Sequence, residues 1–438
     1  MAKILFQAMN PKLFRAIFIG YLFEIAQSNR VVLLVGDIDE DTKRVLHDKS
    51  MFPGLEQIIF FESAFGGDIF GKNYRLCKTL KNAVQDFKPD IVITHSDIWP
   101  PDMYLLRFAK RAGAITIAMQ AGFKIAGERK LYRWSCLMNA CLKMPHFLPF
   151  PVRVFFAKAK KYAGHFLYYW ILPLTADEMP FPGKTSFVFW DEASGLRDAD
   201  YATVFSERDR KLYIRDGVPR EKVFVIGHPL EHEGTKNFFG KVYGLKQRET
   251  FNQGGEYAQT LTIMWPDEKI GFRAKDYSLI PQEEMEAKRI QIVQHITEKL
   301  PDWNILVKPH PAEGDASKIK ASLSVISPNI SVVDPAEPAD TYIARSACVI
   351  GMPPPSTTLF SALKQDPSKI ILSLNLNGEF LGDSYKNFDS IEYIDSEARL
   401  LDVLSAIHGH SYQRPSGPHT PSDFSDAQEL LNRIAAHV

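Results

Sequence analysis

Two short segments in the C-terminal half carry the side chains best suited to chemistry. They are Ile305-Leu306-Val307-Lys308-Pro309-His310-Pro311 and, about fifty residues later, Pro355-Ser356-Thr357-Thr358-Leu359-Phe360-Ser361-Ala362-Leu363. The first reads as an apolar strand that stops at a cation and an imidazole. The second reads as a Pro-bounded turn opening a helix, with three hydroxyls at its start. The first N–H groups of a helix lack intrahelical partners and its dipole favours negative charge there, so such a start is suited to an anion. Lys308, His310, Pro311, Ser356, Thr357 and Thr358 are therefore candidates to grip a phosphate-bearing ligand. Each also has a plain structural reading, His310 as a turn residue and the hydroxyls as a helix cap.

Proton transfer needs a carboxylate or an imidazole within hydrogen-bond reach of the reacting hydroxyl. Asp267 and Glu268, after an apolar run at Leu261–Trp265, are candidates, as are His95 and Asp97 at the end of Ile91-Val92-Ile93-Thr94. The Pro-Asp-Glu turn is also compatible with simple solvation. Gln120-Ala121-Gly122 follows a fifth apolar run, and Gln120 and Gly122 are candidates to line a cleft, with a plain structural turn as the alternative. Asp37 and Asp39 have Asp-x-Asp spacing but read as a solvated turn. No metal and no cofactor is expected.

These residues need a scaffold. A chain of 438 residues exceeds one ordinary core and predicts two domains. Hydrophobic content of 45% and charged content of 24% are those of a globular protein. The 52 basic residues equal the 52 acidic ones, which argues against a dedicated nucleic-acid binder. The four cysteines show no metal-type spacing and fit a reducing compartment. The apolar stretch from Leu13 to Ala26 is interrupted by Arg15 and Glu24 and is expected to be a buried helix rather than a signal peptide or a span.

Apolar runs rich in β-branched residues alternate with helical stretches through the first 120 residues, and again from Tyr201 to Ile226. A second series starts at Leu261. Such alternation indicates parallel sheets covered on both faces. The expected architecture is α/β, with two Rossmann-like domains facing a central cleft. Residues 1–228 form the first domain and 229–410 the second. A tail and helix occupy 411–438, for which a crossing back to the first domain is one reading.

Residues 129–176 differ in character. Eight basic residues occur there with no Asp or Glu, among Tyr132, Trp134, Phe155, Phe156, Tyr168 and Trp170. Cations beside aromatic bulk suit an anionic lipid surface, and a helical insertion with solvated charges is the alternative.

Two Rossmann-like halves joined by a passage through Gly217-Val218-Pro219 and Gly227-His228-Pro229 resemble the GT-B glycosyltransferases. That passage is also similar to those of teichoic-acid glycerophosphotransferases and UDP-sugar epimerases. Within the fold, His310-Pro311 and Ser356-Thr357-Thr358 resemble the His-Pro and Ser/Thr motifs of bacterial sialyltransferases and Kdo transferases. The resemblance implies a first domain for the acceptor and a second for a CMP-activated sugar, with the His-Pro on the CMP portion and the Ser/Thr segment on its phosphate. Asp267-Glu268 departs from the pattern, since several of those families carry the acid in the N-domain. No Glu-x7-Glu pair and no Asp-Ser-Gly-Gly segment is present, which counts against retaining hexosyltransferases and epimerases respectively. The implied activity is transfer of a Kdo- or sialic-acid-like sugar to a surface glycan or lipid-linked acceptor. A CDP-glycerol-type phosphotransferase and a non-catalytic carbohydrate-binding subunit are the alternatives. The implied location is the cytoplasm, peripheral on the inner face of the plasma membrane.

The basic segment makes this location testable. Each Lys or Arg that reaches an anionic surface contributes about 1 kcal/mol, screened by salt. The protein should sediment with acidic vesicles at low ionic strength and poorly with neutral ones. Binding should fall when Lys158, Lys160 and Lys161 become Gln. Equal sedimentation with both vesicle types would remove the membrane role.

Overall fold

The computed structural model describes residues 1–8, 14–61, 72–95, 100–120, 199–239, 259–266, 280–311, 316–353, 358–378, 385–413 and 423–436, less a few single positions, together with 149, 151–152 and 242. It divides into two compact units, one of Met1–Pro229 with Pro421–Val438 and one of Leu230–Thr420.

The first unit holds strands β1 (Lys3–Ala8), β2 (Arg30–Val35), β3 (Leu55–Phe60), β4 (Ile91–Thr94), β5 (Ile115–Met119), β6 (Tyr201–Val204) and β7 (Val223–Val225). They lie in the order β3-β2-β1-β4-β5-β6-β7, every neighbouring pair parallel. Winding therefore runs outward from β1 to β3, then restarts on the other side of β1 with β4. The central strands are buried on both faces, as a parallel sheet covered by helices requires. Helices α1 (Ile19–Ala26), α2 (Glu40–His47), α3 (Lys72–Phe87), α4 (Pro100–Arg111) and α5 (Glu207–Arg215) fill the connections. Leu5, Val32, Leu34 and Val92 of the sheet pack against Leu76, Leu80 and Val84 of α3 and Leu105, Leu106 and Ala109 of α4. A π-helical turn, Phe14–Phe18, leads into α1, and both are buried at Phe14, Ile17, Phe18, Ile19, Tyr21, Leu22 and Ile25.

The second unit repeats this plan. Strands β8 (Thr260–Trp265), β9 (Asn304–Pro309), β10 (Ile330–Val332), β11 (Cys348–Gly351), β12 (Ile370–Leu374) and β13 (Glu392–Ile394) lie in the order β10-β9-β8-β11-β12-β13, all parallel. Here winding reverses beside β8. The connecting helices are α6 (Gln282–Lys299), α7 (Ser317–Ser324), α8 (Ala339–Ala344), α9 (Thr358–Gln365) and α10 (Glu397–His408). Leu261, Ile263, Val307, Ile350 and Leu372 meet Ile292, Val293 and Ile296 of α6 and Leu400, Val403 and Leu404 of α10 in one core.

The C-terminal helix α11 (Ala427–Ala436) is part of the first unit. Its first N–H, on Ala427, donates to Glu24 Oε2 at 3.1 Å, and Asn29 Nδ2 donates to Gln428 Oε1 at 2.6 Å. Asp423 accepts from the backbone N–H of Val225 at 2.8 Å and from Arg210 at 2.6 Å, which ties the segment to the last strand. Among the described residues no helix is long and apolar enough to cross a membrane.

Gly351 closes β11 just before the segment leading to α9. A Cβ there would stand 2.8 Å from Leu359 Cδ1 and 3.2 Å from its Cγ, and Leu359 is fully buried. Glycine thus lets α9 approach the strand end closely. Gly351→Val should cost roughly 1–3 kcal/mol through overpacking, measured by urea unfolding, and should displace α9. A stability within about 0.5 kcal/mol of wild type would show that Leu359 repacks freely.

Candidate functional site

In open parallel sheets, ligands bind outside the carboxyl ends of strands where the winding direction reverses, because the connections leave on opposite faces and open a crevice. Each unit has one such place, and each gathers buried polar groups.

In the second unit the reversal lies between β8 and β11. His310 and Pro311 follow the end of β9 and are exposed. Thr358 is the first residue of α9 and half-buried. Ser356 and Thr357 lie outside the described residues, as do Asp267 and Glu268. Lys308 is turned inward. It is 3% exposed, and its ammonium donates to the carbonyls of Pro309 at 2.8 Å and Pro335 at 2.9 Å. Burial lowers its pKa, an effect that Asp334 and Glu337 oppose. In this geometry Lys308 braces the loops after β9 and β10.

The cation at the reversal is one that sequence reasoning missed. Arg289, in the middle of α6, is 1% exposed, and its Nη2 donates to the carbonyl of Pro353 at 2.9 Å. Its guanidinium lies 5.4 Å from the ring of Trp265, the last residue of β8. The Trp265 Nε1–H is buried without a hydrogen-bond partner. A buried guanidinium and an indole N–H without a hydrogen-bond partner thus lie at the ends of β8 and β11. Arg289 sits in a helix otherwise laced with surface charges, so its type gave no sign of its burial.

In the first unit the reversal lies between β1 and β4. Gln7, near the end of β1, is 1% exposed, and Asp102, in the first turn of α4, is fully buried. Gln7 Nε2 donates to Asp102 Oδ1 at 2.8 Å. His95 directly follows β4, with its Nδ1 3.4 Å from Asp102 Oδ2 and only 9% of its side chain exposed. Phe18 packs edge-on against the imidazole, with centroids 6.0 Å apart. Burial of the imidazole pushes the His95 pKa down to about 4. Asp97 and Gly122 lie outside the described residues, as does nearly all of the basic segment 129–176.

Gln120 is buried at the end of β5 and engaged at both ends. Its Oε1 accepts from the Phe205 N–H at 2.9 Å, and its Nε2 donates to Asp209 Oδ2 at 3.1 Å. Burial raises the Asp209 pKa against the pull of Arg208, Gln120 and Ser206. These bonds make Gln120 a bracket between β5 and the start of α5. Asp39 caps α2 by accepting from the Thr42 N–H at 2.8 Å and pairs with Arg15 at 2.8 Å, while Asp37 is exposed.

No family model matches this chain, and no curated protein matches its sequence. Solved structures share its fold along its whole length. UDP-GlcNAc 2-epimerase from Neisseria meningitidis, bound to UDP-GlcNAc, is 13% identical, with 100% of both chains covered and a TM-score of 0.52. A putative UDP-N-acetylglucosamine 2-epimerase from Listeria monocytogenes is 13% identical, with 100% of this chain and 96% of that one covered and a TM-score of 0.56. The S. aureus MnaA structure with UDP is also 13% identical, covering 100% and 97%, with a TM-score of 0.50. The chain has the GT-B fold, two parallel-sheet Rossmann-like units.

The buried imidazole has a measurable effect on stability. Its folded pKa lies below the ordinary value of 6.5, so between about 4 and 6.5 the unfolded chain binds the extra proton. Stability should therefore fall on acidification through this window, by at most about 1.4 kcal/mol per pH unit from this group. His95→Gln should flatten the dependence when denaturation midpoints are compared at pH 7 and pH 5. An unchanged slope would mean that His95 titrates alike in both states.

Proposed function

We propose that this chain is an enzyme acting on a nucleotide-activated sugar, and that it transfers a Kdo- or sialic-acid-like sugar from a CMP donor to a surface glycan or lipid-linked acceptor. The observation that carries the reading is the donor-rich end of the second sheet. There the buried Arg289 lies against Trp265 at the end of β8 and bonds the carbonyl of Pro353 after β11, while the exposed His310 follows the neighbouring strand β9 and α9 starts at Thr358. A departing CMP develops negative charge on its phosphate, which fixed N–H, hydroxyl and cationic groups stabilise. The cytidine preference rests on the resemblance of His310-Pro311 and Ser356-Thr357-Thr358 to the motifs of CMP-sugar transferases. On this reading the second unit takes the donor and the first takes the acceptor. The basic segment 129–176 is assigned to an anionic membrane surface on the cytoplasmic side.

A uridine donor is the second reading, favoured by the UDP-GlcNAc 2-epimerases that share the fold. Calorimetric titration with CMP, CDP and UDP, followed by turnover assays with CMP-Kdo, CMP-sialic acid, CDP-glycerol and UDP-GlcNAc, distinguishes the two. CMP should bind the wild type. His310→Ala and the double change Ser356→Ala with Thr357→Ala should each weaken it by about 1.5–3 kcal/mol per charge-assisted bond lost. Preferential UDP binding and turnover of UDP-GlcNAc would replace the cytidine assignment, and turnover of CDP-glycerol would indicate a phosphotransferase. Binding of no nucleotide would leave a non-catalytic subunit. Within the same assays, Asp267→Asn and Glu268→Gln that keep full turnover would assign the base to the first unit.

A further inference from the structure

Lys308 stands two residues before the exposed His310, at the end of β9, yet its ammonium is committed to the protein. Two of its three N–H donors go to the carbonyls of Pro309 at 2.8 Å and Pro335 at 2.9 Å, and the residue is 3% exposed. Such a side chain offers almost nothing to a ligand. The Pro309 carbonyl belongs to the peptide unit that leads into His310. A trans peptide is planar with its C=O and N–H on opposite sides, so holding that carbonyl turns the His310 N–H away from the ammonium. The flanking prolines restrict the same stretch, because Pro309 has its φ locked and a residue before proline, here His310, is driven to extended backbone. The second carbonyl is a fixed post. In the turn after β10, the Ala336 N–H donates to Asp334 Oδ1 at 2.7 Å and the Glu337 N–H to the Asp334 carbonyl at 3.2 Å. Just before it, the Val333 N–H donates to the Val307 carbonyl at 3.0 Å and extends the pairing of β10 with β9. Every one of these residues belongs to the second unit.

We propose that Lys308 is a positioning residue for the nucleotide. It fixes the Pro309–His310 peptide against the turn after β10, so that His310 meets the ligand, and it does not touch the ligand itself. This rests on the nucleotide-sugar reading above. The role makes Lys308 dependent on His310. Removing the ammonium frees the peptide that carries the imidazole, and this matters to the ligand only while the imidazole is there to be placed.

Calorimetric titration of the full chain with CMP, CDP and UDP tests this in the wild type, Lys308→Met, His310→Ala and the double variant, with urea midpoints measured alongside. Methionine is of similar length and lacks the N–H groups. Lys308→Met should weaken the nucleotide that the wild type binds by about tenfold, and by no more than His310→Ala does. The double variant should bind as His310→Ala does, because a residue that acts only through another shows its whole effect as coupling between the two. Losses that multiply would mean that Lys308 meets the ligand or supports another part of the site, and they overturn the proposal. So does a Lys308→Met protein that binds as the wild type does, whatever its urea midpoint. A crystal structure of the wild type with the bound nucleotide decides the matter where the variant does not fold. Lys308 Nζ still on the two carbonyls, with His310 against the nucleotide, is the expected result. Nζ on the phosphate, or His310 away from the nucleotide, overturns the proposal. Failure of the wild type to bind CMP, CDP or UDP defeats the nucleotide-sugar reading, whereas binding that Lys308→Met leaves intact defeats the positioning role alone.

Discussion

Parallel strands bring their carboxyl ends to one edge of a sheet, and where the winding direction reverses, the two neighbouring connections part to opposite faces and leave the strand ends uncovered. In this chain the reversal falls beside β1 in one sheet and beside β8 in the other. Both sheets are otherwise closed, with central strands buried on both faces and continuous apolar cores beneath their helices. The reversals are thus the places in each sheet where polar groups can meet a ligand without breaking the core.

The residues found there are costly ones. Removing a carboxylate, an imidazole or a guanidinium from water without full compensation carries a penalty of several kcal/mol per charge. Asp102, Arg289 and Gln7 are each 1% exposed or less, and the His95 side chain is 9% exposed. Hydrogen bonds recover part of this, from Gln7 to Asp102 and from Arg289 to Pro353. The Gln7 Oε1 and Trp265 Nε1 atoms remain buried without partners. Packing alone would favour apolar side chains at these positions.

Other buried polar groups in the same sheets do a different job. Gln120 joins the end of β5 to Phe205 and Asp209, and Lys308 joins the carbonyls of Pro309 and Pro335. Their hydrogen bonds are spent on neighbouring loops. By sequence these two resembled ligand-binding residues as closely as His310 did, since all three stand at strand ends. Burial separates them, since Gln120 and Lys308 are buried and His310 is exposed.

The sequence by itself determined the element plan. Runs such as Val31–Val35 and Ile91–Thr94 can only be buried on both faces, which demands parallel strands covered by helices, and their alternation with helical stretches yields two Rossmann-like halves. It also placed His310 after a strand and Thr358 at a helix start, because Pro and hydroxyl residues mark such boundaries locally. The pairing order of the strands, and hence the position of each reversal, came only from the tertiary structure, since β1 and β4 are neighbours across some eighty residues of chain. Arg289 and Asp102 became visible there for the same reason. Each lies on a helix that carries other charged residues, and only the packing of that helix over a strand end decides which of them is removed from water.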